Sequence, residues 1–199
     1  PMLQLVGVPG EKMPVIKPSW TVVGGVTAEA AAATGLQEGT PVVIGGGDTK
    51  CTRLGANTEP TGGACLYIGT AAWAALPSRR RNAFGATATT GAALKWITAA
   101  VGLSDPDAPG DGYATLLAEA ERVKPGAGGL LFLPHLMGER GPVPSAKATA
   151  TFFGLTLGHG RAEMARAVLE GCAFHLRSIF EAASETPLEE ITLVGGGAK

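Results

Sequence analysis

Residues 150–170 read ATFFGLTLGHGRAEMARAVLE, and they join a short glycine-containing segment to the longest helical pattern of the chain. Apolar side chains recur in this pattern every three or four positions, and the main stripe consists of Met164, Val168, Cys172, His175 and Ile179. The periodicity predicts a helix over residues 161–184. Because the apolar stripe is wide, we expect this helix to lie in the core of the protein.

Three short apolar runs elsewhere in the chain stop abruptly in glycine. They predict strands over residues 41–44, 64–68 and 189–194. The turns that follow these strands are Gly45-Gly46-Gly47-Asp48, Gly69-Thr70 and Gly195-Gly196-Gly197. We expect the first strand to be buried and to lie beside the second strand. Asp48 would then lie at the carboxyl end of the first strand, which is where ligands of open α/β sheets bind.

Helical segments alternate with these strands. Residues 28–34 are alanine-rich and lie between Thr27, a good N-cap, and Gly35, which permits a left-handed helix end. The remaining predicted elements are helices over residues 91–101 and about 113–123, a strand over 130–133 and a loop over 134–145. This alternation of strands and helices predicts an α/β fold.

Composition narrows the classes of function. The chain has 16 Lys and Arg against 17 Asp and Glu, so its net charge is −1 and it offers no basic surface to nucleic acid or to an anionic membrane. No apolar run reaches the roughly 18 residues of a membrane span, and the N-terminus carries no signal-peptide pattern. The 3 cysteines form no Cys-x-x-Cys pair, which argues against a disulfide framework or a thiolate zinc site. We therefore expect a cytoplasmic protein with no nucleic-acid or membrane partner.

Glycine is abundant, at 30 residues, and it clusters in turns. Backbone amides without neighbouring Cβ atoms can approach phosphate oxygens closely, so phosphate binding is one explanation and ordinary tight turns are the other. The chain contains no Gly-x-x-x-x-Gly-Lys-Ser/Thr motif and no Gly-x-Gly-x-x-Gly fingerprint between a strand and a helix. Glycine content alone therefore leaves both explanations open.

A longer pattern in residues 150–170 resembles a known family. Ala150-x-Phe152-x-Gly154-Leu155, followed by Glu163-Met164-x-x-Ala167-Val168-Leu169-Glu170, resembles the long signature of the FGGY carbohydrate kinases. Other segments resemble that family in the same order along the chain: a catalytic-base strand at 43–48, a phosphate-contacting turn at 67–70, the loop before the signature at 131–142 and an adenine-side turn at 195–199. The resemblance is closest to the xylulokinase-like branch.

The resemblance implies a sugar kinase fold of two actin-like, ribonuclease-H-like domains that close over a cleft, present here only in part. Residues 1–58 would be the tail of the N-terminal, sugar-binding domain, and residues 59–199 part of the C-terminal, nucleotide-binding domain. We expect the chain to be an internal fragment that is inactive alone. Apolar strand surface left uncovered would lead it to aggregate or to pair as a homodimer.

The resemblance also implies an activity and a set of site residues. The activity is ATP-dependent phosphorylation of a primary hydroxyl of a ketose or polyol, with Mg²⁺. Asp48 matches the catalytic base, and Thr49 stands where relatives commonly have Asn or Gln against the substrate. The residues that match the phosphate and nucleotide contacts are Gly69, Thr70, Gly91, Lys95, Gly196, Gly197 and Ala198. Lys95 replaces a Gln of the glycerol-kinase branch. The alternative is a degenerate, non-catalytic sugar- or nucleotide-binding module of the same fold.

Several ionisable residues are better explained as structural. Glu170 belongs to the signature but lies on a predicted core helix, so we expect a hydrogen-bonded structural acid. Glu139 and Arg140 could shape the cleft or pair with each other, and we expect the pairing. The histidines, His135, His159 and His175, are widely spaced along the chain, and we expect no metal site among them.

Overall fold

The computed structural model of the chain describes residues 2–58, 63–76, 83–103, 112–183 and 188–198. These residues form two compact units, one ending at Cys51 and the other beginning at Thr52. The elements of the first unit are α1 (Met2–Leu5), a 3₁₀ turn (Gly10–Lys12), β1 (Val22–Gly25), α2 (Ala28–Thr34), β2 (Pro41–Val43) and the start of α3 (Asp48–Gly55).

Helix α2 has the bounds that its sequence predicts. The Thr27 hydroxyl oxygen accepts a hydrogen bond from the Ala30 amide at 3.2 Å, which satisfies one of the amides left free at a helix start. At the other end Gly35 takes a left-handed conformation, with φ of 75°, and its amide donates to the Ala31 carbonyl. The prediction of this helix and of both its caps is confirmed.

The prediction for strand β2 is wrong in two respects. Its residues are exposed rather than buried, and Val42 and Val43 keep 42% and 48% of their surface. β2 also pairs antiparallel with β1, with Val22 opposite Val43 and Gly25 opposite Pro41, and not with the strand over 64–68. In the described part of the first unit no residue is buried, because a two-stranded sheet with short helices leaves its faces open.

The described residues of the second unit form the end of α3, three further helices, a four-stranded sheet and a separate two-stranded hairpin. The elements are β3 (Ala64–Ile68), β4 (Ala72–Leu76), β5 (Ala83–Ala86), α4 (Gly91–Ala100), α5 (Gly112–Glu121), β6 (Leu131–Leu133), β7 (Thr151–Phe153), α6 (Arg161–Ala183) and β8 (Ile191–Val194), with 3₁₀ turns at Ala127–Gly129 and Gly196–Ala198. The strand order of the main sheet is β5-β4-β3-β8. Strands β3 and β8 are parallel, whereas β4 is antiparallel to both of its neighbours.

Helix α6 organises the core of this unit, as its apolar stripe predicts. Toward its C-terminal end Leu176 and Ile179 pack on Leu66 and Ala74 of the sheet. Toward its N-terminal end Val168 joins a second buried cluster with residues from α4, α5 and β6, among them Ile97, Leu116, Leu130 and Phe132. Burial of such side chains contributes about 1.5–3 kcal/mol each, so this helix holds the sheet and the other helices together. None of the helices within the described ranges combines the length and the apolar character needed to span a bilayer.

Candidate functional site

Two glycine turns lie side by side at one edge of the main sheet. Strands β3 and β8 run parallel with Tyr67 opposite Val194, so the turns that follow them leave the sheet at the same edge. The second turn begins at Gly195, whose φ is +95°. A Cβ atom there would also overlap the Ile68 carbonyl oxygen. The close approach of these two strand ends therefore requires glycine at position 195.

The start of helix α4 is bonded to the first of these turns. The Gly91 amide donates to the Gly69 carbonyl at 3.0 Å, and the Ala92 amide donates to the Thr70 carbonyl, also at 3.0 Å. A Cβ atom at Gly91 would lie 2.6 Å from the Gly69 oxygen, so only glycine permits this contact. The turn and the helix start are thus one block. Because the Gly91 amide is already hydrogen-bonded to the Gly69 carbonyl, Gly91 has a packing role in the described structure.

Buried threonines stabilise the turn at Gly69 and Thr70 together with the start of α4. The Thr87 hydroxyl lies 2.8 Å from the Thr90 hydroxyl, and it also accepts a hydrogen bond from the Ala72 amide at 3.1 Å. Thr87 and Thr90 are 1% and 5% exposed, so these bonds form away from water, where leaving a polar group unpaired costs about 1–3 kcal/mol. The turn at Gly69 and Thr70 is therefore rigidly held.

A cavity of about 810 Å³ opens in front of these turns, and we call it the glycine cavity. It brings together six of the residues that the sequence singles out: Gly69, Thr70, Gly91, Lys95, Gly196 and Gly197. Its opposite wall is apolar and comes from α5 and α6, with Leu117, Leu169 and Leu176. The helical periodicity that predicts a core position for α6 also places Leu169, Cys172 and Leu176 on one face, and that face borders the cavity.

Two side chains of the glycine cavity are chemically informative. Lys95 is exposed and lines the cavity, which gives it a positive charge at its rim. Cys172 lines the inner wall, and burial raises the pKa of its thiol to about 12, so the thiol stays neutral at physiological pH. Thr70 is exposed, and among the described residues nothing hydrogen-bonds to its hydroxyl group. The hydroxyl is therefore available to a ligand.

The other predicted site residues lie outside the lining of this cavity. Ala198 ends the Gly196–Ala198 turn, and its amide donates to the Gly195 carbonyl at 3.2 Å. Asp48 and Thr49 belong to the first unit, where Asp48 begins helix α3 rather than standing within a glycine turn. The Asp48 Oδ1 atom accepts from the Thr49 amide at 2.7 Å, which orients the exposed carboxylate at the helix start.

A second polar cluster was missed by the sequence analysis. Glu139 does not pair with the Arg140 side chain; its Oε2 atom lies 2.8 Å from His135 Nδ1 and 2.9 Å from His175 Nε2. These residues line a cavity of about 380 Å³, which we call the imidazole cavity, between β6, the loop after it and the other face of α6. The separation of four residues between His135 and Glu139 was the available signal, and only the fold adds His175.

Glu170 has the partners expected of a structural acid. Its carboxylate accepts from Arg166 Nε at 2.6 Å and from the Gly126 amide at 3.0 Å. It therefore ties helix α6 to the turn before the 3₁₀ segment at Ala127–Gly129, and these hydrogen bonds occupy both of its oxygen atoms.

Two family models match the chain. The model described as the FGGY family of carbohydrate kinases, C-terminal domain, matches residues 61–199. The model of the N-terminal domain of the same family matches residues 1–55. Together the matches extend over both structural units.

Curated relatives and solved structures agree with these matches. The chain is 31% identical to a gluconokinase of Bacillus licheniformis, over 99% of the chain and 43% of that protein. It is also 31% identical to a xylulose kinase of Escherichia coli (strain K12), over 100% of the chain and 44% of that protein. The crystal structure of xylulose kinase from Rhodospirillum rubrum superimposes with a TM-score of 0.70 at 32% identity, over 98% of the chain and 43% of that structure.

These comparisons confirm the predicted fold class. The chain has the actin-like, ribonuclease-H-like α/β fold of sugar kinases, and it carries part of that fold. It spans less than half the length of the relatives named above.

Proposed function

Because the chain belongs to the FGGY family of carbohydrate kinases, we propose that it is part of an ATP-dependent kinase that phosphorylates a primary hydroxyl of a ketose or polyol. In this proposal residues 1–58 are the tail of the sugar-binding domain and residues 59–199 are part of the nucleotide-binding domain. The boundary of the two structural units at Cys51 and Thr52 supports such a division near this point.

The observation that carries the proposal is the glycine cavity. Turns at the ends of two parallel strands face it with main-chain groups unobstructed by Cβ atoms, and Lys95 adds a positive charge. Such backbone concavities suit phosphate oxygens, and the lysine suits their negative charge. The apolar wall formed by Leu117, Leu169 and Leu176 suits the base of a nucleotide. The volume of about 810 Å³ lies in the range of roughly 300–1,000 Å³ typical of ligand pockets.

The residues of the glycine cavity fit ATP better than they fit a protein-held Mg²⁺. No carboxylate is among the described residues that line the cavity, and Mg²⁺ prefers oxygen ligands in an octahedral arrangement. A Mg²⁺ ion that enters with ATP would therefore be held here by phosphate oxygens and water. Its chemical contribution would be to neutralise charge on the phosphates.

Asp48 serves as the base in the proposed reaction. As the substrate oxygen forms its bond to the γ-phosphorus and the bond to the leaving ADP breaks, the Asp48 carboxylate accepts the hydroxyl proton. The hydrogen bond from the Thr49 amide to Asp48 Oδ1 orients the carboxylate while leaving Oδ2 for the substrate hydroxyl. Thr49 adds its own hydroxyl as a substrate contact.

Thr70 and Lys95 stabilise charge on the phosphates. The Thr70 hydroxyl donates to a phosphate oxygen on which negative charge grows during transfer, and the fixed turn holds it there without reorganisation. Gly69 and Gly91 support that turn by their close packing. Gly196, Gly197 and Ala198 contribute the turn on which the nucleoside rests.

The sugar itself is assigned only by class. The relatives named above include both a gluconokinase and a xylulose kinase at the same identity of 31%, so similarity favours neither substrate. We propose a small sugar or polyol together with ATP as the ligands, a cytoplasmic location, and association as a homodimer. We further propose that residues 1–199 are inactive when expressed alone, because the curated relatives named above are more than twice as long.

The test is ADP release by the full polypeptide encoded by its reading frame, measured with a panel of pentuloses, hexuloses, polyols and sugar acids. Asp48→Asn is compared with Glu38→Gln, which removes another exposed carboxylate of the first unit. We expect release that depends on one class of substrate, falls about 10²–10⁴-fold in Asp48→Asn and is unchanged in Glu38→Gln. A folded protein that binds ATP but releases no ADP with any compound would contradict the kinase assignment and support the alternative, a non-catalytic binding module.

A further inference from the structure

On the face of α6 turned away from the glycine cavity, three side chains converge in a way that the kinase reaction does not use. We propose that His135, Glu139 and His175 form a binding site for one divalent transition-metal ion of the zinc type. The three residues come from the loop after β6 and from helix α6, all within the second unit. The inference is independent of the proposed function, since its readout is metal binding.

The positions of the ligand atoms already approximate a metal site. Glu139 Oε2 lies 2.8 Å from His135 Nδ1 and 2.9 Å from His175 Nε2, and the three atoms all lie within 4.8 Å of one another. Bonds of about 2.0–2.1 Å in a tetrahedral site place ligand atoms about 3.3 Å apart. The two imidazole rings stand nearly perpendicular, at 83°, with centroids 5.2 Å apart, and each has a ring nitrogen within 2.9 Å of the same carboxylate oxygen. The largest separation among the three atoms therefore exceeds this spacing by no more than about 1.5 Å.

The carboxylate is oriented for one-oxygen coordination. Glu139 Oε1 accepts hydrogen bonds from the amides of Arg140 at 2.6 Å and Gly141 at 2.7 Å. These bonds occupy one oxygen and direct Oε2 toward the imidazoles. The Glu139 side chain is only 6% exposed, so the bonds are little weakened by water. In metal sites, hydrogen bonds from neighbouring groups commonly fix the orientation of a metal-binding side chain in this way.

Metal binding requires His135 Nδ1 and His175 Nε2 to be unprotonated. In the metal-free arrangement His135 Nδ1 hydrogen-bonds to the Glu139 carboxylate at 2.8 Å, whereas His175 Nε2 hydrogen-bonds to the Gly141 carbonyl oxygen at 3.1 Å. On binding, each ring carries its proton on the other nitrogen instead. His135 is partly exposed, so that nitrogen can reach water. His175 Nδ1 is buried without a partner among the described residues, and an ion at Nε2 would replace the contact of that nitrogen with the Gly141 carbonyl.

The donor set selects the class of ion. Two imidazole nitrogens and one carboxylate oxygen suit Zn²⁺, Co²⁺ or Ni²⁺, whereas Mg²⁺ favours oxygen ligands. Three protein ligands leave a fourth position open, and the imidazole cavity of about 380 Å³ provides room there for water or a small anion. The site is thus distinct in chemistry from any Mg²⁺ that accompanies ATP.

The test is titration of the full polypeptide with Co²⁺, and then with Zn²⁺ in the presence of a large excess of Mg²⁺. We expect one equivalent of Co²⁺ to give the visible absorption of a four-coordinate site without a thiolate charge-transfer band, and Zn²⁺ to displace it. His135→Gln should weaken binding more than about a hundredfold, and His175→Gln likewise. His159→Gln, which removes the third histidine of the chain, is the matched control and should bind as the parent does.

A structural readout guards against variants that simply misfold. His135 is partly exposed, so His135→Gln should keep the unfolding temperature of the metal-free parent but lose the increase that saturating Zn²⁺ produces. Lowering the pH should weaken binding to the parent, because protons compete for the imidazoles. Unchanged affinity in both His135→Gln and His175→Gln, a thiolate band, or the absence of stoichiometric binding would each overturn the proposal.

Discussion

Helix α6 separates two cavities that are built in opposite ways. Its face with Leu169, Cys172 and Leu176 borders the glycine cavity, where the polar groups are mainly those of the backbone. Its face with Glu170, Phe174 and His175 borders the imidazole cavity, where the polar groups are side chains. The glycine cavity depends on the absence of Cβ atoms from its turns, and the imidazole cavity depends on the side chains of its polar residues.

This difference determines how each cavity responds to mutation. Adding a side chain to a cavity built from backbone groups disrupts the contacts between the sheet and the helix that meet there, so it lowers the stability of the fold. A side-chain cluster is damaged when a group is removed, and the loss stays local.

Adding one methyl group at Gly195 should have the largest effect. Gly195→Ala places a Cβ against the Ile68 carbonyl oxygen at a φ of +95°, which side-chain-bearing residues rarely adopt. We expect a loss of about 3 kcal/mol or more in the free energy of unfolding, measured by urea denaturation. Gly196→Ala is the control, since a Cβ there meets nothing within 4 Å. Equal stability of the two variants would show that the strand ends do not need this close approach.

Removal of the Thr70 hydroxyl should affect turnover without affecting folding. Because the turn is held by main-chain bonds of Thr70 and not by its side chain, Thr70→Ala should keep the parent stability. We expect kcat of the full polypeptide to fall about a hundredfold, as for loss of one donor to developing charge, and Thr70→Ser to restore most of it. A Thr70→Ala variant with parental kcat would remove Thr70 from the proposed mechanism.

Titration of Cys172 gives a test at high pH. Burial raises its pKa to about 12 in the folded protein, above the value of 9.0 for a free thiol, so between these values the unfolded chain loses a proton that the folded chain keeps. Stability should therefore fall as pH rises above about 9, by roughly 1 kcal/mol per unit from this group. Cys172→Ala should have a shallower dependence in urea denaturation at pH 8–10. Parallel pH profiles for parent and variant would mean that the thiol is not buried as described.

Neutralising Lys95 should have the smallest effect. The side chain is exposed at the rim of the glycine cavity, where water and salt screen its charge. We expect Lys95→Gln to raise the KM for ATP by a factor of about two to five with kcat unchanged, and Lys95→Arg to retain the parental KM. An unchanged KM in Lys95→Gln at low salt would exclude a contact with the phosphates.

The sequence predicts much of the frame and part of the candidate site. Helices α2 and α6 and strands β3 and β8 follow from capping residues, apolar periodicity and the glycines that end the strands. Strands β4 and β5 were missed because runs such as Ala72–Leu76 are rich in alanine, which has little preference for strands. The prediction that β2 is buried was wrong, because the burial of a strand depends on the elements that cover it and not on its own residues.

The two cavities show the same limit in the site. Gly69, Thr70, Gly196 and Gly197 could be singled out because each turn is continuous in sequence and adjoins a recognisable strand. The cluster of His135, Glu139 and His175 could not, because His175 reaches Glu139 only through the packing of α6 on β6. Contacts between residues distant in sequence become visible only when the helix and the strand are placed together.

A structure of the full polypeptide with ADP bound would test the proposed nucleotide site. We expect the phosphates to lie within hydrogen-bonding distance of the turn at Gly69 and Thr70, and the nucleoside to lie against Gly196 and Gly197. Nucleotide bound with its phosphates at the imidazole cavity, or away from both turns, would contradict this proposal.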